Sequence, residues 1–301
     1  MNPMPVKKEM PLSRLVAVLA VSIVTMAPQA ADAALIYQVF DAHGIAPAPA
    51  LGTIDTITGA GTIIGSTGYS ESTGTAFDLD GTLYGIVDAR FSVPKLATFN
   101  KTTGAATVIG TDTGITGNAL AIEIGADGTA YTIGWDDNLY SLNLDTGLAS
   151  LIGPMFGVDD PAINIMDLAF DSQGALWATD MNMLWTTNLS TGAATFETNI
   201  EFPSGLSGYV MGIAFDASDN LFATTFSPPG ILMEVNTTSG AATLVANVSV
   251  DGLSLHGGDI FLAPEPGTLA LLTTGLIGLY WARRRRRSLT PGVTQNGKRP
   301  I

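Results

Sequence analysis

The chain repeats itself. A hydrophobic-aromatic pair recurs at Ile36-Tyr37, Leu83-Tyr84, Ala130-Tyr131, Leu176-Trp177, Leu221-Phe222 and Ile260-Phe261, so successive aromatic positions lie 47, 47, 46, 45 and 39 residues apart. A second marker, a Thr/Ser-Gly pair, places Gly59, Gly104, Gly147, Gly192 and Gly240 at spacings of 45, 43, 45 and 48. A period of this length marks an array in which each unit buries its apolar face against the next copy.

Within a unit, a short apolar run (strand A) leads into an Asp/Gly turn and then a run holding the aromatic (strand B). Ala76 to Tyr84, Leu168 to Trp177 and Ile213 to Phe222 are the best copies. Strand C follows, as in Leu96 to Asn100, and after the Thr-Gly turn comes strand D, as in Ala106 to Gly110. Strands of about five residues between Gly, Asp and Asn turns predict an antiparallel meander, and four such strands in roughly 40 to 50 residues make a propeller blade. Strand A is apolar because it lies near the axis, and the aromatic of strand B fills the gap between neighbouring sheets. The expected fold is therefore an all-β propeller of about five four-stranded antiparallel blades over residues 34–263. The body begins at a strand B and ends with a strand A candidate, Gly252 to Leu255, so the last segment can complete the first blade and leave no free edge. Ile260 to Leu262 is then a surplus strand B, either a linker or a sign of another blade count. An open β-solenoid or a two-sheet sandwich shares the period, which does not by itself require circular closure. The Phe77-Asp78-x-x-Gly81-x-Leu83-Tyr84 pattern resembles that of NHL, SMP-30 and lactonase-type propellers.

With no cysteine, disulfides, thiolate metal sites and cysteine nucleophiles are excluded; with only His43 and His256, histidine triads and multi-histidine metal sites are hard to build. Between Ala34 and Ala263 three basic residues, Arg90, Lys95 and Lys101, face 24 acidic ones, a net charge of −21. Such a body repels nucleic acid and anionic membrane, and suits divalent cations, cationic partners and neutral glycans.

The two ends read as addresses. Lys7, Lys8 and Arg14 precede an apolar run from Leu15 to Met26, and small residues lead to Ala31-Asp32-Ala33. This predicts a secretory signal peptide over 1–33, handled by the general secretion machinery; its largely apolar run of twelve residues falls short of a spanning anchor. Gly267 to Ala282 carries no formal charge, ends in Tyr280-Trp281 and is followed by Arg283, Arg284, Arg285, Arg286 and Arg287. At ~1.5 Å per residue it reaches roughly 24 Å, a short transmembrane helix whose arginines lie at the cytoplasmic end. Residues 288–301 form a cytoplasmic tail. Pro264-Glu265-Pro266 stands immediately before the span, and the order Pro-Glu-Pro, apolar helix, arginine cluster (264–287) resembles the PEP-CTERM sorting signal of Gram-negative bacteria. The resemblance implies export across the inner membrane and anchoring by the helix. An exosortase then cleaves near Pro-Glu-Pro and releases the body to the outer surface, in hosts that commonly make exopolysaccharide or biofilm. The fourteen residues after Arg287 exceed the family's usual ending, which allows for a permanently anchored product.

Candidate chemistry is sparse. The aspartates of the A–B turns (Asp78, Asp80, Asp127, Asp171, Asp216, Asp219) suit tight turns better than calcium loops, lacking the twelve-residue loop and terminal Glu of an EF-hand. After strand B, aspartates recur at Asp41, Asp88, Asp136 with Asp137, and Asp180. In a closed ring these loops gather at one mouth, which makes Asp88, Asp137 and Asp180 the candidate metal ligands, with Ca²⁺ as the ion; a solvated acidic face is the competing reading. Neither histidine sits in a recognisable catalytic motif. Tyr69, Trp135, Trp185 and Tyr209 could stack on sugars. The expected protein is an exported surface or matrix protein with a binding or structural propeller, polysaccharide being the candidate partner. The alternative is a secreted propeller hydrolase or lactonase with a metal-assisted site on the acidic face.

Overall fold

The computed structural model describes residues 34–41, 49–88, 93–156, 164–226, 230–248, 250 and 254–261. The chain divides into two units, 1–33 and 34–301, and every described residue lies in the second. The signal peptide, the Pro-Glu-Pro motif, the apolar span with its arginines, the tail, His43 and the side chain of Asp41 lie outside the described residues.

Among the described residues twenty strands form five four-stranded antiparallel sheets. The first sheet contains β1 (Leu35–Asp41), β2 (Ala50–Asp55) and β3 (Gly61–Ser66). The second runs β4 (Ser72–Phe77), β5 (Leu83–Val87), β6 (Lys95–Phe99), β7 (Ala106–Ile109), and the third β8 (Ala119–Ile124), β9 (Ala130–Gly134), β10 (Asn138–Leu142), β11 (Ala149–Pro154). The fourth is β12 (Asp167–Phe170), β13 (Leu176–Asp180), β14 (Met183–Thr187), β15 (Ala194–Asn199), and the fifth β16 (Val210–Phe215), β17 (Leu221–Thr225), β18 (Gly230–Val235), β19 (Ala242–Val248). The last strand, β20 (Ser254–Ile260), pairs antiparallel with β1 and completes the first sheet from the other end of the chain.

The A strands touch in a closed cycle, β4 to β8 to β12 to β16 to β20 and back to β4. Closure removes the open edge that a linear stack would leave, and the protein is a five-bladed propeller. The closing strand is longer than the four residues expected and lies further along: Ile260 pairs with Ile36 at the end of β20, so among the described residues Ile260 belongs to strand A of the first blade and not to a surplus strand B. Its aromatic neighbour Phe261 packs on Phe77 with ring centroids 5.1 Å apart. The sixth hydrophobic-aromatic pair is thus an A-strand ending, which explains its shorter spacing of 39.

Burial follows radius. All six residues of β4 are buried, whereas β15 on the rim reads mostly exposed. The apolar core is divided into five clusters, one at each blade interface. The recurring aromatic of strand B fills each interface by meeting the last residue of the next A strand. Tyr37 meets Phe77 at 5.2 Å, Tyr131 meets Phe170 at 5.8 Å and Trp177 meets Phe215 at 6.1 Å. Tyr84 with Ile124, and Phe222 with Ile260, occupy the corresponding clusters.

The second sequence marker is a C–D turn built five times. Asp55, Asn100, Asn143, Asn188 and Asn236 each accept two backbone N–H groups of their own turn through Oδ1, at 2.7 to 3.1 Å. The glycine that follows takes a positive φ of 68° to 82° and returns its N–H to the same Asp or Asn carbonyl at 2.8 Å. The side-chain oxygen substitutes for a backbone acceptor, and left-handed backbone selects Gly.

Candidate functional site

The two mouths of the ring differ. At the mouth formed by the B–C and D–A loops, Asp88 and Asp137 adopt φ of 54° and 55°. Non-glycine residues seldom tolerate that backbone, and Asp is among those that do, so turn geometry accounts for Asp at 88 and 137; in the fourth blade Met181 takes the positive φ (42°) and Asp180 does not. Asp88 Oδ2 accepts Lys95 Nζ at 2.8 Å. Asp137 and Asp180, on adjacent blades, lie within electrostatic reach of each other. Burial, followed by the Asp137 charge, pushes the Asp180 carboxyl up to about 6. Burial and then the Asp136 charge raise Asp137. The fold therefore brings two of the three expected ligands together and ties the third to a lysine. Among the described residues no group of three His, Cys, Asp or Glu is arranged to hold a metal ion. Trp135 and Tyr209 are exposed at this mouth and Tyr69 is half-buried there, whereas Trp185 packs at the interface of the third and fourth blades, between Phe156, which follows β11, and Phe196 of its own sheet. His256 is buried on β20 against Phe226.

The cavity lies at the other mouth, where the A strands end. It has a volume of about 380 Å³ and is lined by A-strand ends and A–B turns, including Phe77, Phe170, Phe215 and Phe261 with the carboxyls of Glu123 and Asp259. The aspartates of those turns serve the turns themselves. Asp78 Oδ1 accepts the N–H groups of Asp80 and Thr82, and Asp171 Oδ1 those of Gln173 and Ala175, at 2.8 to 3.0 Å.

Three carboxyls that no sequence motif marks occupy the axis. The register equates Asp259 and Glu123 with Ala76, Ala169 and Ala214, each paired with the strand B aromatic of its blade. Asp167 sits two residues earlier in its own A strand. All three accept backbone N–H groups from other blades: Asp259 Oδ2 from Phe77 at 2.8 Å, Glu123 Oε1 from Phe170 at 3.4 Å, and Asp167 Oδ2 from Ile213 at 2.9 Å and Gly258 at 3.3 Å. An A strand has a flank without a ladder partner, and its buried N–H groups need acceptors; the carboxyls supply them and brace the ring laterally.

Burial raises all three. It pushes Asp259 up to about 7 against two backbone hydrogen bonds. Glu123 is held well above the carboxylate range by burial, then by the charges of Asp259 and Asp167. Asp167 is likewise well above it, burial outweighing its backbone donors. For Glu123 and Asp259 the readable signal was an acidic residue at a strand position where other repeats hold Ala.

Residues 262–287 match the PEP-CTERM protein-sorting motif. No curated protein matches the chain. Among solved structures, a structural genomics protein of unknown function from Bacteroides thetaiotaomicron VPI-5482 is 14% identical, with a TM-score of 0.53 over 78% of this chain and 68% of that one. A protein described under "the de novo evolutionary emergence of a symmetrical protein" is 18% identical, with a TM-score of 0.50 over 77% of this chain and all of that one. At such identities the likeness is one of fold. Phe261 ends the described propeller at the cavity mouth, and the matched motif begins at the next residue. The chain thus carries a PEP-CTERM sorting motif directly behind a five-bladed β-propeller, and that motif implies export and sorting through the exosortase route.

Proposed function

We propose that the chain is a cell-surface or extracellular-matrix binding protein whose ligand site is the cavity at the A–B mouth. The observation that carries this reading is the cavity itself: about 380 Å³, largely apolar walls and the carboxyls of Glu123 and Asp259 in its lining. That is the size and character of a small-molecule site or of a pocket for one end of a larger ligand. Binding is favoured over turnover by how Asp259 is used. Both oxygens of Asp259 accept backbone N–H groups, from Phe77 and Ile260, which commits the group to bracing the ring rather than to moving a proton. A body of net charge −21 repels anionic polymers and leaves neutral exopolysaccharide accessible as a matrix partner.

The test combines location with binding. In the native host, the wild-type chain should be open to protease on intact cells, and changing Pro264, Glu265 and Pro266 to Ala should hold it in the inner-membrane fraction. The full chain should be retained on immobilised host polysaccharide without consuming it. A wild-type chain confined to the inner membrane and not retained would overturn the proposal.

A further inference from the structure

The cavity contains an acceptor without a donor. Glu123 is 6% exposed and lines the cavity. Its Oε1 receives the long bond from Phe170, and no donor to Oε2 is present among the described residues. Deeper on the axis, Asp167 Oδ1 is buried without a hydrogen-bond partner. A largely buried carboxyl short of donors carries a free-energy cost, and at Glu123, which lines the cavity, an incoming cation would relieve it.

The walls define which cation. Phe261, Phe77, Tyr131, Phe170 and Phe215 line the cavity, one aromatic from each blade in order. Ca²⁺ requires six or more oxygen ligands, and among the described residues no three acidic groups are placed for a metal. An alkylammonium ion needs one carboxylate, and its polarised carbon groups pack on aromatic rings. Two of these rings already hold an ammonium: Lys101 Nζ lies 5.3 Å from the Phe77 centroid and 5.6 Å from that of Phe261 while donating to the Gly81 carbonyl at 2.6 Å. The excess of negative charge on the body concentrates cations near either mouth.

From this geometry we infer that the cavity receives a small organic ammonium ion, its charge met by Glu123 and its carbon groups by the aromatic wall. The inference rests on the ligand-site reading above and adds the chemical class of the ligand. Burial, and after it negative charge on Asp259 and Asp167, disfavours ionisation of Glu123. A bound cation therefore lets Glu123 ionise and releases a proton.

Calorimetry on the purified full chain tests this with choline and its neutral isostere 3,3-dimethyl-1-butanol. Choline should bind saturably with a buffer-dependent heat that reports proton release, and the isostere should bind at least roughly tenfold more weakly. Glu123→Gln should weaken choline roughly tenfold and leave the isostere unchanged. Phe261→Leu removes a ring without touching a carboxyl and should weaken choline roughly threefold, which keeps the test intact if the first variant misfolds. Equal binding of both probes, unchanged in Glu123→Gln, would overturn the ammonium inference and leave a ligand cavity of apolar specificity. Binding of neither probe to a chain with native melting would also overturn it, while polysaccharide retention decides the broader reading separately.

Discussion

Asp167 on the fourth blade accepts the N–H of Ile213 on the fifth at 2.9 Å and that of Gly258 on the first at 3.3 Å. One carboxyl thereby joins three A strands at the axis, two of them from blades that are not neighbours.

Asp167→Ala leaves two buried N–H groups without an acceptor and should cost about 3 kcal/mol, read from urea unfolding. Asp167→Asn keeps an acceptor oxygen at the same place and should cost less than about half of that.

Acidification should stabilise the body before it denatures it. Asp259 rises from its ordinary 3.8 to about 7 and Asp180 to about 6, both chiefly through burial. The folded state then holds these protons more tightly than the unfolded state, so their ionisation erodes stability as pH climbs from about 4 to 7. Asp55, Asp127 and Asp219 are lowered, chiefly by hydrogen bonds in their turns or from Ser172, and their contribution is lost only below about pH 4. The melting temperature should therefore be higher at pH 5 than at pH 8; a curve flat or rising over that interval would contradict the burial of the axial carboxyls.

Two glycines of near-equal φ should respond differently to alanine. At Gly174 (φ 79°) an added methyl would meet nothing within 4 Å, whereas at Gly192 (φ 82°) it would abut the Gly153 backbone of the preceding blade. Gly174→Ala should cost about 1 kcal/mol for the left-handed backbone. Gly192→Ala adds a backbone clash across the blade interface and should cost about 3 kcal/mol. Chemical denaturation of the pair separates the two contributions.

At the opposite mouth, Asp88→Asn should change stability by less than about 1 kcal/mol, because Asn accepts the same left-handed backbone and the half-exposed pair with Lys95 is weak. A thermal melt checks it.

Much of the fold was legible because each repeat writes its constraints locally. Asn100 with Gly104 and Asn188 with Gly192 form turns from five residues of sequence, and Tyr131 and Trp177 announce an interface because a large ring must be covered. The site was less legible. Acidic residues in loops draw attention to Asp88 and Asp137, whose identity answers to backbone geometry. Glu123, Asp167 and Asp259 lie in A strands, and they come together only when the ring closes, so no local window contains the cavity. Ile260-Phe261 imitates the strand B pair while occupying the end of strand A, and for that reason the pattern alone sets the closing strand too early.

Ring closure is the claim on which the cavity and its carboxyls depend, and the absence of cysteine allows it to be tested with spin-label pairs. Ile57, Thr102 and Thr238 are exposed at equivalent positions in the C–D turns of the first, second and fifth blades. Double electron resonance on cysteine pairs at these sites should give the same distance for 57 with 238 as for 57 with 102, and a distance about 1.6 times longer for 102 with 238, as around a pentagon. If 57 and 238 are instead the most distant pair, the blades are strung in a line and the ring is not closed.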